Sequence, residues 1–264
     1  MAGVVEKLNP RKPDALSIKR DAQRGNQRGW TVQISEITLD EVKEDAVKFG
    51  LATEILYQMN AGKEASIFLA MWKDHPIILK AFRFWNTSQA KKKKGFFAPG
   101  RMQVLAAKEY DLLSACFKAG MKVPTPIGRV GNYLTMRFIG DGLEPAPQLR
   151  NVQLEEPDLV LDKILDDYLL MYRDANYVHG DLSSYNILWW QNSPWIIDMP
   201  QACKVGPWSD MKNIVSLLRR DIVNVLSYFK KYGIRRNPDE ILDVFLSEYV
   251  PHNQRHFAEE VARI

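Results

Sequence analysis

The sequence predicts an α+β fold with two lobes, a small antiparallel β-sheet followed by a mainly helical lobe. Strand-like apolar runs separated by glycine turns fill the segment from 51 to 140, and amphipathic helix-like runs predominate from 159 onwards. Strands grouped before helices are typical of α+β proteins. With 264 residues, of which 46% are hydrophobic, the chain is long enough to form both lobes.

Three segments follow from this pattern. Residues 1–35 are predicted to be a basic, largely disordered arm, because they are polar, contain two prolines and show no sustained periodicity. Residues 36–137 are predicted to form the N-lobe, with a flexible basic loop at 83–101. Residues 138–264 are predicted to form the C-lobe.

The N-lobe opens with a predicted helix that starts at a capping box formed by Thr38 and Glu41. Two strands follow, joined by the glycine-containing turn Asn60–Ser66. Such a turn can direct backbone N–H groups at phosphates, although an ordinary hairpin turn is the alternative. The candidate phosphate-binding residues in the turn are Gly62, Lys63 and Ser66.

Lys80 lies inside the apolar strand Pro76–Phe82. A lysine in such a strand costs several kcal/mol of desolvation unless its ammonium is paired, so a partner is expected. The candidate is Glu109, in a helix-like run from Met102 to Lys118. In protein kinases a lysine paired in this way also contacts the phosphates of ATP. A surface position for Glu109 remains the alternative.

A further strand, Tyr133–Gly140, runs into a glycine-containing linker. In a two-lobed ATP-binding protein this linker is the hinge that receives the adenine edge. Arg137 and Ile139 would then supply backbone contacts, and Met136 would line the back of the pocket. A plain buried strand explains the same residues equally well.

The stretch from Tyr177 to Gln201 carries the strongest chemical signal. His179, Asp181 and Asn186 have the spacing H-x-D-x-x-x-x-N, and Ile196-Ile197-Asp198 follows after an apolar run. This pattern matches the protein-kinase catalytic loop and metal-binding segment. Asp181 can orient the phosphoryl acceptor, while Asn186 and Asp198 supply the oxygen ligands that Mg²⁺ prefers. The alternative is that these residues only form turns.

Composition and charge exclude some classes of protein and suggest a partner. No apolar stretch reaches the length of a membrane span, and the chain is predicted to be soluble and cytoplasmic. The two cysteines are too few and too far apart for a disulfide framework. The net charge of +4 combines two positive segments, residues 1–30 and Lys80–Arg101, with a remainder that is net negative. Contact with RNA or another polyanion through segments 1–30 and 91–101 is one explanation, and solvated charge is the other.

The residues resemble the RIO-type atypical serine/threonine protein kinases, in the branch without an N-terminal winged helix. Four local matches carry the resemblance, over about residues 45 to 235. They are Gly62-Lys63-Glu64-Ala65, Met136-Arg137-Phe138-Ile139-Gly140 with Pro145-Ala146-Pro147, His179-Gly180-Asp181-Leu182-Ser183-Ser184-Tyr185-Asn186, and Ile196-Ile197-Asp198 followed by Gln201.

The resemblance implies a two-lobed protein-kinase-like fold that uses ATP and Mg²⁺, with Mn²⁺ as a substitute. It implies that Asp181 is the catalytic aspartate, that Asn186 and Asp198 bind metal, and that Lys80 binds ATP phosphates while pairing with Glu109. It also implies autophosphorylation or ATPase cycling, with Asp198 as a phosphoryl acceptor, and a role in maturing the small ribosomal subunit.

Some residues depart from the family's pattern or fit other functions. Gly180 stands where the family usually has alanine, and Pro200 where it usually has serine. Only nine residues separate Asp198 from Trp208, so the usual activation segment is missing. The alternatives are a small-molecule kinase of the aminoglycoside or choline type, whose loop also reads H-G-D-x-x-x-x-N, and a non-enzymatic ATP-gated module that binds RNA or protein.

Overall fold

The computed structural model describes residues 32–35, 38–61, 65–82, 84–87 and 100–249, which form two compact units. One unit runs to Tyr110 and takes in Pro126–Phe138, and the other comprises Asp111–Thr125 and continues from Ile139. The sequence assigned 111–125 to the N-lobe, whereas the structure groups it with the second unit. A long-range contact accompanies this grouping, since the carbonyl of Lys122 accepts from the N–H of Ile196 at 2.9 Å.

The first unit contains most of the strands. Its elements are β1 Val32–Ser35, α1 Leu39–Lys48, β2 Glu54–Ala61, β3 Ala65–Trp72, β4 His75–Phe82, β5 Phe84–Thr87, the first part of α2 Gly100–Lys118, β6 Pro126–Val130 and β7 Tyr133–Arg137. Five of these strands form an antiparallel sheet in the order β2-β3-β4-β7-β6. This confirms the predicted antiparallel sheet.

The capping box predicted for the first helix is present. The Thr38 hydroxyl accepts from the N–H of Glu41 at 3.2 Å, and the Glu41 carboxylate accepts from the N–H of Thr38 at 2.9 Å. The helix buries Val42 and Ala46 against sheet residues that include Phe68. A cap of this kind stabilises a helix by about 1 kcal/mol.

Two short segments within the predicted arm 1–35 and the predicted loop 83–101 form strands. Strand β1 pairs antiparallel with β5, and Val32 lies opposite Thr87. Each strand has four residues, which is too short for a periodicity to be visible, and the partner lies about fifty residues away along the chain. Alternation alone therefore could not identify them. The remainder of both segments lies outside the described residues, apart from the start of α2.

The second unit is mainly helical. Its elements are the end of α2, β8 Gly140–Asp141, β9 Glu144–Pro145, a 3-10 turn Leu149–Asn151, α3 Pro157–Arg173, β10 Tyr177–Val178, β11 Ile187–Trp190, β12 Ser193–Ile196, β13 Cys203–Lys204, α4 Met211–Phe229, a 3-10 turn Lys230–Tyr232 and α5 Pro238–Glu248. Buried faces of α3, α4 and α5 form its core, with Tyr168 and Phe229 fully buried. Within the described part of the chain, no helix is both long and apolar enough to cross a membrane.

Candidate functional site

Lys80 and Glu109 form a bidentate ion pair within the first unit. The Lys80 Nζ lies 2.7 Å from Oε1 and 2.8 Å from Oε2 of Glu109. The two side chains are only 9% and 10% exposed. Strand β4 positions the lysine, and α2 supplies the glutamate. The partner predicted for the lysine is therefore present, and the pair is a charge-assisted contact that is almost fully removed from solvent.

Ser66 and Met136 lie in strands that border Lys80 in the sheet. Ser66 is fully buried in β3 opposite Ala81, and Met136 is buried in β7 opposite Ile78. Both predicted positions therefore fall beside the strand of Lys80. Gly62 and Lys63, the other predicted phosphate-binding residues, lie outside the described residues.

The predicted hinge residues Arg137 and Ile139 lie at the end of β7 and just after it. Arg137 is exposed at the last position of that strand, opposite Ile77. Ile139 is buried, and its carbonyl accepts from the N–H of Ala146 at 3.0 Å. The Ile139 N–H is the backbone donor that the predicted adenine contact would use.

In the second unit, Asp181 and Asn186 lie on one short loop between β10 and β11. The Asn186 Nδ2 donates to the backbone carbonyl of Asp181 at 2.9 Å and lies 3.5 Å from its carboxylate Oδ2. The N–H of Asn186 donates to the Ser183 carbonyl at 2.9 Å, which closes the loop on itself. With its amide nitrogen used in this way, Asn186 keeps its amide oxygen for a cation.

Asp198 follows the hairpin formed by β11 and β12. The N–H of Ile197 donates to the Asn186 carbonyl at 2.9 Å, so the two ends of the hairpin are tied together beside Asn186. Asp198 is exposed and has a φ of 57°. A non-glycine residue in the left-handed region is uncommon and is often found at functional sites. The predicted hairpin between the two candidate metal ligands is confirmed.

His179 is buried and stabilises this loop through its ring nitrogens. Its Nε2 lies 3.3 Å from the Ile197 carbonyl, and its Nδ1 lies 3.3 Å from the N–H of Asp181. Both contacts fit a neutral ring that donates through Nε2 and accepts through Nδ1. Burial lowers the pKa of His179 below its usual value, which also favours the neutral ring.

Asp221, in α4, was not among the predicted site residues. It binds the backbone of the loop that carries Asp181. The side chain is fully buried. Its Oδ2 accepts from the N–H of Gly180 at 2.8 Å and from the Tyr168 hydroxyl at 2.6 Å. Its Oδ1 accepts from the N–H of Leu182 at 3.1 Å. The two backbone donors flank Asp181, so the carboxylate fixes the backbone on both sides of that residue.

The sequence did contain a signal for Asp221. The apolar face of α4 includes Leu218, Ile222 and Val225, and Asp221 lies within it. A carboxylate on the buried face of a helix needs hydrogen-bond donors. Like Lys80 in its apolar strand, Asp221 is a charged residue on an apolar face and therefore requires hydrogen-bonding partners.

Gly180, which departs from the family's usual alanine, has a geometry that requires glycine. Its φ is +77°, and a Cβ built there would lie 2.7 Å from the carbonyl oxygen of Gln201. Its carbonyl also accepts a hydrogen bond from the guanidinium of Arg220, the residue before Asp221. Both backbone groups of Gly180 are thus held by neighbouring residues of α4.

We expect Gly180→Ala to destabilise the protein. The left-handed conformation alone costs a non-glycine residue about 1–2 kcal/mol, and the clash with Gln201 adds to that cost. Urea unfolding of the variant measures the effect. Gly120→Ala is the matched control, because Gly120 has a φ of +88° but no atom within 4 Å of the added Cβ. Equal losses in the two variants would show that the approach to Gln201 has no effect.

Comparison with known proteins assigns the chain to a family. Residues 78–241 match the model of the RIO domain. The chain is 39% identical over 138 residues to the RIO-type serine/threonine-protein kinase Rio1 of Thermoplasma acidophilum, covering 52% of this chain and 70% of that protein. It is 31% identical over 211 residues to the Rio2 protein of the same type in Methanocaldococcus jannaschii, covering 75% of each.

The chain's fold is also that of a solved kinase structure. The Rio2 kinase from Chaetomium thermophilum matches with a TM-score of 0.58 and 17% identity, over 88% of this chain and 76% of that chain. This likeness shows a two-lobed protein-kinase-like α+β fold. The chain spans 40% and 42% of the length of two curated animal relatives. From the matched domain and the archaeal relatives, the chain belongs to the RIO family of serine/threonine-protein kinases.

Proposed function

We propose that this protein transfers the γ-phosphoryl group of ATP in an Mg²⁺-dependent reaction, either to itself or to water. The observation that carries the proposal is the buried ion pair between Lys80 and Glu109. A buried lysine held by a glutamate on a neighbouring helix is the arrangement that protein kinases use to bind ATP phosphates. Membership of a kinase family supports the same chemistry.

In this proposal the residues have separate roles. Lys80 binds the phosphates, and the turn containing Gly62, Lys63 and Ser66 contacts them through its backbone. The Arg137 carbonyl and the Ile139 N–H bind the adenine edge, with Met136 behind it. Asp181 orients the acceptor oxygen and accepts its proton.

The residues present fit a magnesium ion held mainly by phosphate. Asn186 and Asp198 offer an amide and a carboxylate oxygen, which are hard ligands of the kind Mg²⁺ prefers. Among the described residues, no group of three histidine, cysteine or acidic side chains is placed to hold a metal. Mg²⁺ commonly takes one or two protein ligands together with substrate phosphates, so two ligands are sufficient. The ion would neutralise charge on the transferred phosphoryl group.

Asp198 is proposed as a phosphoryl acceptor as well as a metal ligand. In that step an Asp198 carboxylate oxygen bonds to the γ-phosphorus, ADP leaves, and water later hydrolyses the acyl phosphate. The Rio2 kinase structure from Chaetomium thermophilum is described as an ADP/Mg²⁺-phosphoaspartate complex, which supports the same chemistry here. The short exit after Asp198, nine residues to Trp208, is consistent with a protein that does not hold an extended substrate there.

The test is incubation of the purified chain with radiolabelled ATP. We expect phosphate release or labelling of the protein, loss of both when Mg²⁺ is chelated, and partial recovery with Mn²⁺. Label on Asp198 is cleaved by hydroxylamine, whereas label on serine or threonine is stable to it. Lys80→Ala is expected to lower turnover at least about tenfold, because a charge-assisted contact to phosphate is lost.

Two further variants make that result interpretable. Lys43→Ala removes an exposed lysine of the same unit and should leave turnover unchanged. Lys80→Met combined with Glu109→Leu removes both buried charges together and should keep the fold while remaining inactive, because replacing a whole buried pair is often neutral for stability. Full turnover in this folded double variant would contradict the role of Lys80.

The cellular setting is proposed from sequence alone. A role in small-subunit maturation, with precursor or RNA contacts through segments 1–30 and 91–101, rests on their positive charge. Residues 1–30 and 91–99 lie outside the described residues. Membership of the branch without a winged helix and a cytoplasmic location are also proposed from the sequence alone.

A further inference from the structure

Arg150 lies directly against the loop that carries Asp181. Its guanidinium carbon is 4.2 Å from the centre of the Tyr185 ring. Its backbone N–H donates to the Ser184 carbonyl at 3.3 Å. Tyr185 is 55% exposed, so the stacked pair faces solvent.

The orientation of Arg150 is fixed by its neighbours. Its Nε donates to Oε1 of Gln148 at 2.8 Å, and Nε2 of Gln148 donates to the Tyr185 carbonyl at 2.9 Å. Gln148 also forms a β-bridge with Leu188, at the start of the hairpin. An arginine held in this way loses little conformational entropy when it binds a ligand.

Arg150 differs from three other arginines of its unit in having no acidic partner. Arg173, Arg219 and Arg236 each form an ion pair with aspartate or glutamate. No acidic residue in the described part of the chain pairs with Arg150, and its two Nη groups have no acceptor there. A fixed, exposed guanidinium with both Nη groups available matches the geometry of a carboxylate.

The position of this pair connects it to the acceptor. Tyr185 precedes Asn186, whose side chain donates to the Asp181 carbonyl at 2.9 Å. The loop thus carries a carboxylate for the acceptor hydroxyl, and the Arg150 guanidinium stacks on Tyr185, four positions further along that loop. The usual activation segment is missing between Asp198 and Trp208. A peptide acceptor would therefore be recognised by residues elsewhere in the chain.

We propose that Arg150, stacked on Tyr185, binds an acidic side chain of a peptide segment whose serine or threonine is the phosphoryl acceptor. The inference rests on the proposed function and extends its acceptors from the protein itself and water to a serine or threonine of a peptide. A peptide is favoured because the matched relatives are named serine/threonine-protein kinases. A single guanidinium also suits one carboxylate, whereas nucleic-acid binding uses several cations along the backbone.

Steady-state kinetics with three sets of serine peptides tests the proposal, one set with glutamates flanking the serine, one neutral and one basic. We expect the wild-type protein to show a KM about tenfold lower for acidic than for neutral peptides, as one charge-assisted contact would give. Arg150→Glu should abolish or reverse this preference and leave ATP hydrolysis without peptide unchanged. Arg235→Glu makes the same charge change at another exposed arginine of the unit and should keep the preference.

Three results would overturn the proposal. The first is that the wild-type protein uses acidic and neutral peptides equally. The second is that Arg150→Glu weakens all three sets of peptides equally. The third is that Arg150→Glu lowers the affinity for an RNA oligonucleotide but not for the acidic peptide. Fluorescence anisotropy with a labelled acidic peptide measures binding without any phosphoryl transfer. Arg150-dependent binding in a protein that does not turn over ATP would support this inference while contradicting the proposed function.

Discussion

Asp181→Asn is expected to lower phosphoryl transfer by about two to four powers of ten, the usual contribution of a general base. Asparagine keeps the size of the side chain and a contact with Asn186 but cannot accept the proton of the acceptor. Because Asp181 is exposed and its backbone is held by other residues, the fold should be unchanged. Turnover of radiolabelled ATP gives kcat, and nucleotide titration followed by intrinsic fluorescence gives the affinity.

The expected pattern is a large loss in kcat with little change in nucleotide affinity. Asp243→Asn, at an exposed aspartate of α5, is the control for removing one negative charge from the same unit. If Asp181→Asn turned over ATP at the wild-type rate, the catalytic assignment of Asp181 would fail. If it lost affinity and kcat together, Asp181 would serve nucleotide binding.

The sequence predicted those features that depend on neighbours close along the chain. Asp181 and Asn186 are separated by four residues and belong to one loop, so their spacing carried most of the geometry. The capping box of Thr38 and Glu41 was visible for the same reason. The partner of Lys80 lies further along the chain. It could be predicted because the apolar strand indicated that Lys80 is buried, and a buried charge requires a partner.

Features that depend on distant partners were missed. Strands β1 and β5 are short, and nothing in either segment indicates the other. Residues 111–125 join the second unit through contacts such as that between Lys122 and Ile196, which no local pattern reveals. Asp221 lies forty residues after Asp181, and its three donors come from α3 and the loop. The signal for Asp221 in the sequence was a charged residue on an apolar helix face with no evident partner.

Asp221→Ala is expected to destabilise the protein by about 3–5 kcal/mol, because three buried donors lose their acceptor and each unsatisfied group costs about 1–3 kcal/mol. The change leaves the Tyr168 hydroxyl and the N–H groups of Gly180 and Leu182 buried without their acceptor. Burial raises the pKa of Tyr168, so its hydroxyl remains protonated and cannot replace the lost acceptor by ionising. Urea unfolding followed by circular dichroism gives the free energy of unfolding.

The same variant distinguishes a loop anchor from a residue that only supports the core. Tyr168→Phe removes one donor but leaves the carboxylate on both backbone N–H groups, so it should cost only about 1 kcal/mol and keep the kcat for ATP. If Asp221 anchors the loop, Asp221→Ala should lower kcat even in buffer without urea, where most molecules remain folded. A variant that lost stability yet kept wild-type kcat in its folded fraction would show that the backbone around Asp181 is held by other contacts. The bond from Arg220 to the Gly180 carbonyl and the contacts of His179 with Asp181 and Ile197 would then be sufficient to hold it.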